Sequence, residues 1–425
     1  MEAIISVVSR VSKIKIIGGK PLSGTVKIGG AKNSAVALIP AAILCSGVTK
    51  IYNVPRISDI EVLKKILLLL NCKIKEEENY ILIDSTNLKN APIPAELTNQ
   101  LRASYYFMGA LLARFKKVEI SFPGGCKIGK RPIDIHLFGF RKLCANVDKN
   151  DDIYTITADE LIGNKIYLDF ASVGATINII LASVMAKGKT IIENAAREPE
   201  IVNIASFLIN MGAKIKGAGT SHIEIIGVKK LNPSVIEVFP DRIEAATYMI
   251  IGILLGNLKI TGIIPEHLNS FLIKLREMKI KYEIKNDTII VNKHEKFKAA
   301  KIKTLVYPGF PTDIQQPICT LLTQANGTSI ITETIYENRY LQGEELNKMG
   351  AKTYIKNNKL YIDGPTKLKG AEVQATDLRC GAALVIAGLI AEGTTIIDNI
   401  EHILRGYENI INKLKDIGAN IEIVE

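Results

Sequence analysis

The sequence predicts a two-domain α/β (α+β) protein built from six copies of one structural unit. Each copy has a helix, a turn, a short strand, a second helix and a hairpin. In every copy a β-branched run typical of a strand follows the first turn, and these turns begin at Gly47, Arg114, Gly188, Gly256, Gly327 and Gly393. Every second helix ends at a position suited to a C-cap, and these positions are Asn71, Cys144, Gly212, Lys279, Gly350 and Gly418. Such self-similarity indicates a repeat architecture.

The two ends of the chain are predicted to meet in the last unit. The sixth unit stops one strand short, whereas the chain begins with an unassigned strand at residues 13–17. That strand resembles residues 223–227, which close the third unit. We therefore expect the first strand to complete the sixth unit, so that residues 1–31 and 239–425 form one domain. Residues 32–238 would form a second domain inserted into the first, with three units in each.

One unit of the six carries an insertion. The interval between the two landmarks is 30 residues in the second unit and 23 to 25 residues in the others. The surplus lies in a loop rich in glycine and proline, where Cys126 is surrounded by Lys127, Lys130 and Arg131. An insertion at one of six equivalent places is hard to explain by packing, so we interpret it as a functional part. The cations would favour a thiolate and attract a phosphate or carboxylate. For this thiol alone, a surface cysteine beside solvated lysines is an equally good interpretation.

The other five cysteines are predicted to be unreactive. Cys45, Cys72, Cys144, Cys319 and Cys380 lie in or beside helices with apolar neighbours, where a buried thiol is inert. The cysteines include no CxxC pair and are widely spread, which indicates reduced thiols rather than disulfides or a zinc site. The five histidines show no metal-ligand spacing, so no metal site is expected.

The composition is that of a globular protein, with 47% hydrophobic and 23% charged residues. The longest nearly uncharged apolar run, residues 381–391, is too short to cross a bilayer, and no signal peptide is visible. A soluble cytoplasmic protein is therefore expected. The net charge of +11 is compatible with nucleic acid, an anionic membrane or small anionic substrates. Because the lysines are scattered and the chain has no Trp, a platform for nucleic acid is disfavoured.

Cations recur where the first helices of the units begin. They are Lys32, Arg102, Arg242 and Arg379, and a second set follows the strands, at Arg131, Arg197, Arg339 and Arg405. Pseudo-symmetry would direct several helix N-termini, with their unpaired N–H groups, toward one face. For any single position, solvated arginines and N-capping by Asp241, Asp313 and Asp377 are the better interpretation. For the set as a whole we favour a polyanion site between the two domains.

From about Lys13 onward the chain resembles the UDP-N-acetylglucosamine enolpyruvyl transferase (1-carboxyvinyltransferase) family. The segments that carry the resemblance are residues 29–33, 102–104, 123–134, 172–176, 193–200, 311–313, 332–339, 376–379 and 405–408. It implies an inside-out α/β barrel fold with six βαβαββ units arranged three plus three. It also implies that the enolpyruvyl group of phosphoenolpyruvate is transferred to the 3-hydroxyl of UDP-N-acetylglucosamine and phosphate is released, the first committed step of peptidoglycan synthesis. No metal or organic cofactor is implied, and neither nucleic acid nor a membrane is expected as a partner.

The resemblance also implies roles for single residues. Cys126 would protonate the methylene carbon of phosphoenolpyruvate and can add covalently to it, which implies a pyruvate adduct and sensitivity to fosfomycin. Lys32, Arg131 and Arg405 would hold the phosphate and carboxylate of phosphoenolpyruvate. Asp313 would take the proton from the sugar 3-hydroxyl or orient it. The remaining substrate-binding residues would be Asn33, Arg102, Pro132, Ile133, Asp134, Ile135, Ser172, Val173, Gly174, Ile335, Arg339 and Arg379.

One position departs from the family pattern. Phe170 stands two residues before Ser172, where the family often has a lysine that reaches the nucleotide. The contacts to the nucleotide should therefore differ, and Lys127 and Lys130 could compensate for the missing charge.

Two other functions compete with this one. The sister transferase that acts on shikimate 3-phosphate shares the fold but lacks the cysteine loop, so the insertion discriminates between them. The alternative from another class is a non-catalytic protein that binds a sugar nucleotide or a regulatory partner. The joint presence of Lys32, Cys126, Asp313 and Arg405 argues against it.

Overall fold

Short β-branched runs form strands in the computed structural model, which describes residues 12–121, 133–337 and 339–425. In chain order the strands of these ranges are β1 (Lys13–Ile17), β2 (Leu22–Lys27), β3 (Val48–Tyr52), β4 (Lys73–Glu76), β5 (Tyr80–Asp84), β6 (Lys117–Ser121), β7 (Asn146–Asn150), β8 (Ile153–Thr157), β9 (Lys165–Tyr167), β10 (Lys189–Glu193), β11 (Lys214–Lys216), β12 (His222–Ile226), β13 (Val235–Glu237), β14 (Gly256–Thr261), β15 (Tyr282–Lys285), β16 (Thr288–Val291), β17 (Lys301–Lys303), β18 (Gly327–Thr332), β19 (Lys352–Lys356), β20 (Lys359–Gly364), β21 (Glu372–Gln374), β22 (Thr394–Asp398) and β23 (Asn420–Val424).

The helices of the same ranges differ in how much of their surface is buried. They are α1 (Lys32–Ala41), α2 (Ser58–Leu69), α3 (Ala95–Thr98), α4 (Tyr106–Phe115), α5 (Asp134–Lys142), α6 (Val173–Ser183), α7 (Pro199–Asn210), α8 (Arg242–Leu255), α9 (Asn269–Glu277), α10 (Thr312–Leu322), α11 (Gln342–Lys348), α12 (Leu378–Ile390), α13 (Glu401–Leu404) and α14 (Ile410–Asp416). The first helix of a unit is buried nearly all round; in α6 every residue after Val173 is buried. Second helices such as α7 bury one face only, as amphipathic helices do. No helix of the described residues is both long and apolar enough to cross a membrane.

The predicted ends of the second helices are confirmed at all six positions. Asn71, Cys144, Gly212, Lys279, Gly350 and Gly418 all have a positive φ, between 65° and 104°. This left-handed conformation closes a helix and turns the chain into the next strand. The first-turn prediction was wrong for the second unit. Arg114 lies inside α4, and the left-handed residue that ends this helix is Lys116, with φ 57°.

The strands of the described residues form six sheets, one for each unit. Their orders are β13-β3-β5-β4, β6-β8-β7, β11-β12-β10-β9, β15-β16-β14-β2, β17-β18-β20-β19 and β21-β22-β1-β23. β1 is antiparallel to both of its neighbours, with Ile14 opposite Ile397 of β22 and Ile423 of β23. The prediction that the first strand completes the sixth unit is therefore confirmed.

Two parallel strand pairs join segments that are far apart in the sequence. β2 pairs in parallel with β14 of the fourth unit, and β13 pairs in parallel with β3 of the first unit. The chain consequently crosses twice between the two groups of sheets, at residues 28–31 and 238–241. These segments are hydrogen-bonded to each other, since Ala31 N–H donates to the carbonyl of Phe239 (2.7 Å) and Asp241 N–H donates to that of Gly29 (2.9 Å).

The buried apolar side chains form two separate cores. One is drawn from residues 35–238, and the other from residues 14–28 together with 243–421. Helices α1, α4 and α6 meet inside the first core, and α8, α10 and α12 meet inside the second, with the sheets outside them. We propose the domain limits given by the sequence, 1–31 with 239–425 and 32–238, and the division of the core supports them.

Candidate active site

A cavity of about 510 Å³ lies between the two cores. Twelve of the predicted site residues line it: Lys32, Asn33, Arg102, Ile135, Ser172, Val173, Gly174, Asp313, Ile335, Arg339, Arg379 and Arg405. Ile133 and Asp134 do not, because Ile133 is buried and Asp134 is exposed at the start of α5. Cys126, Arg131 and Pro132 lie outside the described residues, as do Lys127 and Lys130. The cavity thus gathers residues that are hundreds of positions apart in the sequence.

Asp59 joins two of the predicted phosphoenolpyruvate ligands. Its Oδ2 is 2.6 Å from Lys32 Nζ, and its Oδ1 accepts a hydrogen bond from Arg405 Nε at 2.7 Å. The Asp59 side chain lies in the first turn of α2 and is only 2% exposed. Burial acts to raise the pKa of this carboxyl, but Lys32 and Arg405 outweigh burial and hold the pKa below its ordinary value. Asp59 is therefore an ionised partner for both cations, and the sequence reasoning did not identify it.

Asp313 neutralises two buried arginines. Arg339 Nη2 lies 2.9 Å from Asp313 Oδ1, and Arg379 Nη2 lies 3.0 Å from Oδ2. The hydroxyl of Thr312 accepts a hydrogen bond from Arg339 Nη1 and donates one to Glu333, both at 2.8 Å. Burial acts to raise the pKa of Asp313, but the two guanidinium groups reverse this and hold it far below its usual range.

The N-cap alternative is right for two of the three aspartates. Asp241 accepts hydrogen bonds from the N–H groups of Ile243 and Glu244 and caps α8, and Asp377 caps α12 in the same way. Asp313 caps nothing, and N-capping was wrong for it. The solvated-arginine alternative is wrong for Arg339 and Arg379, because their side chains are only 3% and 2% exposed.

Two further carboxylates, those of Glu198 and Glu200, contact residues on the other side of the cavity. Glu200 lies 3.4 Å from Arg242 Nη2, and the Arg242 guanidinium stands 5.5 Å from the ring centre of Tyr307. The main-chain N–H of Tyr307 donates to Glu198 Oε1 at 3.3 Å. Burial, reinforced by the negative charge of Glu200, raises the pKa of Glu198 to about 6. The sequence signal for this pair was the segment 193–200, which entered only through the family resemblance.

The wall of the cavity around α6 is tightly packed. Ser172 caps this helix by accepting a hydrogen bond from Ala175 N–H at 3.3 Å. A Cβ atom at Gly174 would lie 2.7 Å from the Tyr105 hydroxyl, so the close approach requires glycine there. His136 is hydrogen-bonded to Asn178 at 2.8 Å, and burial followed by Arg102 lowers its pKa to about 3. His136 is thus a neutral structural residue.

The described thiols differ in exposure. Cys45, Cys72, Cys319 and Cys380 are buried as predicted, and burial raises the pKa of the last three to about 12. The prediction was wrong for Cys144, which is exposed at the left-handed end of α5. A residue that ends a surface helix leaves the apolar face, so its side chain reaches solvent. No cluster of three or more His, Cys, Asp or Glu side chains that could hold a metal occurs in the described ranges.

The chain is similar to enolpyruvyl transferases along almost its whole length. The family model described as EPSP synthase (3-phosphoshikimate 1-carboxyvinyltransferase) matches residues 16–414. Curated relatives named UDP-N-acetylglucosamine 1-carboxyvinyltransferase 2 include those of Geobacillus kaustophilus, 52% identical over 96% of both chains, and Listeria monocytogenes, 51% identical over 96% of this chain and 97% of that one. The enolpyruvyl transferase NikO from Streptomyces tendae superposes with a TM-score of 0.89 at 26% identity, covering 97% of this chain and 99% of that one. EPSP synthase from Acinetobacter baumannii shares the fold, with a TM-score of 0.75 at 18% identity over 98% and 100%.

Proposed function

This chain belongs to the EPSP synthase family of carboxyvinyltransferases, and we infer that it is the member that acts on UDP-N-acetylglucosamine. It transfers the enolpyruvyl group of phosphoenolpyruvate to the sugar 3-hydroxyl and releases phosphate, the first committed step of peptidoglycan synthesis. The observation that carries this function is the meeting of Lys32 and Arg405, from opposite halves of the chain, on the buried Asp59. Identity of 52% to curated relatives favours the sugar nucleotide over shikimate 3-phosphate as acceptor.

Lys32 and Arg405 are proposed to bind the phosphate and carboxylate of phosphoenolpyruvate, together with Arg131. Asp59 keeps both cations close to each other before the substrate arrives, since two like charges would otherwise separate. Phosphoenolpyruvate brings more negative charge than one carboxylate. It can therefore bind to both cations while Asp59 continues to hold their side chains in place.

Asp313 is proposed to take the proton of the sugar 3-hydroxyl. A carboxylate held by two arginines is a weak base, so it does not deprotonate a free hydroxyl. When the hydroxyl oxygen bonds to the enolpyruvyl carbon, however, its proton becomes strongly acidic, and a weak base placed at hydrogen-bond distance is then sufficient. The arrangement favours proton transfer during C–O bond formation rather than before it.

Cys126 is proposed as the acid that supplies the proton for the methylene carbon. In the addition step that carbon gains the thiol proton while the sugar oxygen bonds to the neighbouring carbon. In the elimination step the new methyl group loses a proton to the Cys126 thiolate and its C–H electron pair restores the vinyl group. The bond to the phosphate oxygen breaks, and the phosphate leaves with that electron pair and takes up the proton held by Asp313. The residues named here need no redox step, and the protein is proposed to work in the cytoplasm without an organic cofactor.

The sugar nucleotide is proposed to lie along the part of the cavity formed by Arg102, Ile135, Ser172 and Ile335. Phe170 also lines this part and is 43% exposed. An aromatic ring there offers an apolar contact in place of the charge that a lysine would provide. We propose that nucleotide binding depends correspondingly more on Arg102.

Phosphate release tests this function directly. Mixing the protein with phosphoenolpyruvate and UDP-N-acetylglucosamine should release phosphate in proportion to the enolpyruvyl product. Shikimate 3-phosphate in place of the sugar nucleotide should release none. Phosphate release with shikimate 3-phosphate as the acceptor, and none with UDP-N-acetylglucosamine, would assign the protein to the sister activity. Binding of the sugar nucleotide without turnover would favour the non-catalytic alternative.

A further inference from the structure

The segment from Arg405 to Glu408 is anchored in the second core. Tyr407 is 1% exposed, and its hydroxyl is 3.0 Å from that of Thr247 on α8. Gly406 packs so closely against Leu378 that a Cβ atom would lie 2.5 Å from the leucine side chain. The two middle residues thus fix the backbone of the segment to its own domain.

The two outer residues of this segment both reach the other domain. Arg405 Nε donates to Asp59 Oδ1 at 2.7 Å, and Glu408 Oε1 accepts a hydrogen bond from the main-chain N–H of Arg56 at 2.8 Å. Arg56 lies just before α2, and Asp59 lies in the first turn of that helix. A short anchored segment is therefore attached at two points to the beginning of one helix.

The hydrogen bond from Arg56 N–H holds the Glu408 carboxylate at a fixed position. Its donor is a main-chain N–H, which cannot follow a moving side chain. The positive end of the α2 dipole also favours a carboxylate there. The proposed phosphoenolpyruvate ligand Arg405 stands three residues earlier, on a backbone that is closely packed at Gly406 and anchored by the buried side chain of Tyr407. A shift at Glu408 is consequently transmitted to Arg405.

We propose that Glu408 is a positioning residue, which holds Arg405 at the distance from Lys32 that phosphoenolpyruvate requires. This inference rests on the proposed function. Glu408 itself does not line the substrate cavity. Its effect is on the relative placement of two cations, so its loss should weaken the binding of phosphoenolpyruvate more than that of the sugar nucleotide.

Two conservative substitutions distinguish the effect of the length of the Glu408 side chain from the effect of its charge. Glu408→Gln keeps the side-chain length and an oxygen acceptor but loses the charge. Glu408→Asp keeps the charge but is one methylene too short to reach Arg56 N–H. We expect the Asp variant to raise KM for phosphoenolpyruvate about tenfold, the effect of one charge-assisted hydrogen bond. The Gln variant should stay within about threefold of wild type, since the hydrogen bond is kept and only its charge assistance and the interaction with the helix dipole are lost. The values of kcat and of Kd for the sugar nucleotide should change little in both.

The matched control is Glu401→Gln, which removes a negative charge from an exposed residue at the start of the nearby helix α13. It should behave as wild type. An Asp variant with the KM of this control, or a Gln variant as impaired as the Asp variant, would overturn the proposal. A general loss of kcat and nucleotide binding in both variants would also overturn it, because a structural defect would then explain the effect.

Gly29→Ala provides a second test on another element. The added methyl would lie 2.9 Å from Glu408 Oε2, so the flexible carboxylate has to move. We expect this variant to raise KM for phosphoenolpyruvate as Glu408→Asp does, and combining the two should add little. Full additivity would contradict the shared mechanism. If wild type releases no phosphate, the proposed function fails first; if wild type is active and the variants match it, only the positioning role fails.

Discussion

Replacing Asp59 by Asn should destabilise the protein even without substrate. The Asp59 side chain is 2% exposed, whereas those of its partners Lys32 and Arg405 are 14% and 23% exposed. Removing one partner from a buried ion pair costs about 3–5 kcal/mol, because a charge remains buried without compensation. Since both cations keep some access to solvent, we expect the lower end, about 3 kcal/mol. In the Asn variant one oxygen can still accept a hydrogen bond, but the amide NH₂ group faces a cation.

The effect can be measured by urea unfolding followed by far-ultraviolet circular dichroism. Asp152→Asn is the matched control, because Asp152 is exposed in the turn between β7 and β8. A loss of about 3 kcal/mol corresponds to a fall of roughly 6–12 °C in Tm for a domain of this size. Inorganic phosphate should recover more stability in the Asn variant than in wild type, since an anion can replace the missing carboxylate.

The pH dependence provides an independent check. The folded-state pKa of Asp59 is lowered, so its contribution to stability is complete above the ordinary carboxyl pKa, near 4, and is lost as the pH falls below it. The difference between wild type and Asp59→Asn should therefore shrink in acid. An Asn variant as stable as Asp152→Asn at pH 7, or a difference that grows in acid, would refute the argument that Asp59 neutralises this pair.

Three further predictions concern Asp313 and Glu198, which line the cavity, and Cys126. Asp313→Ala should abolish turnover and also lower Tm, because Arg339 and Arg379 remain buried without a counter-charge; normal turnover in a phosphate-release assay would refute its role as base. Glu198 has a pKa of about 6 against an ordinary 4.5, so the stability that protonated Glu198 supplies should fall as the pH rises from 4.5 to 6, by about 2 kcal/mol, and Glu198→Gln should remove this slope in unfolding titrations. Brief exposure to fosfomycin should label Cys126 before the exposed Cys144, as read by peptide mapping; equal labelling of both would contradict an activated thiol.

The repeat and its caps could be predicted because they are local. A residue that ends a helix in the left-handed conformation has a short sequence signature, and the six C-cap positions follow from it. Six of the eight predicted cations line the cavity for a related reason, since pseudo-symmetry places equivalent helix starts together; Arg197 does not line it, and Arg131 lies outside the described residues. These inferences needed no knowledge of distant contacts.

The partners of the cations could not be predicted in this way. Asp59 is 346 positions from Arg405, and in the sequence it resembles any acidic residue in the first turn of a helix. The Glu198–Tyr307 contact likewise joins separate units. Such contacts form where the two domains face each other, and an interface between domains leaves no periodic pattern in either segment.

The pairing of strands that are far apart in the sequence has a consequence for the order in which the protein folds during synthesis. The first core can close once β13 has left the ribosome, because β13 completes the sheet of β3. β1, by contrast, emerges first and finds its partners β22 and β23 last. At bacterial or eukaryotic elongation rates it waits on the order of a minute. During that time β1 lacks its partner strands, and the alternating Lys13 and Lys15 disfavour its pairing with other chains.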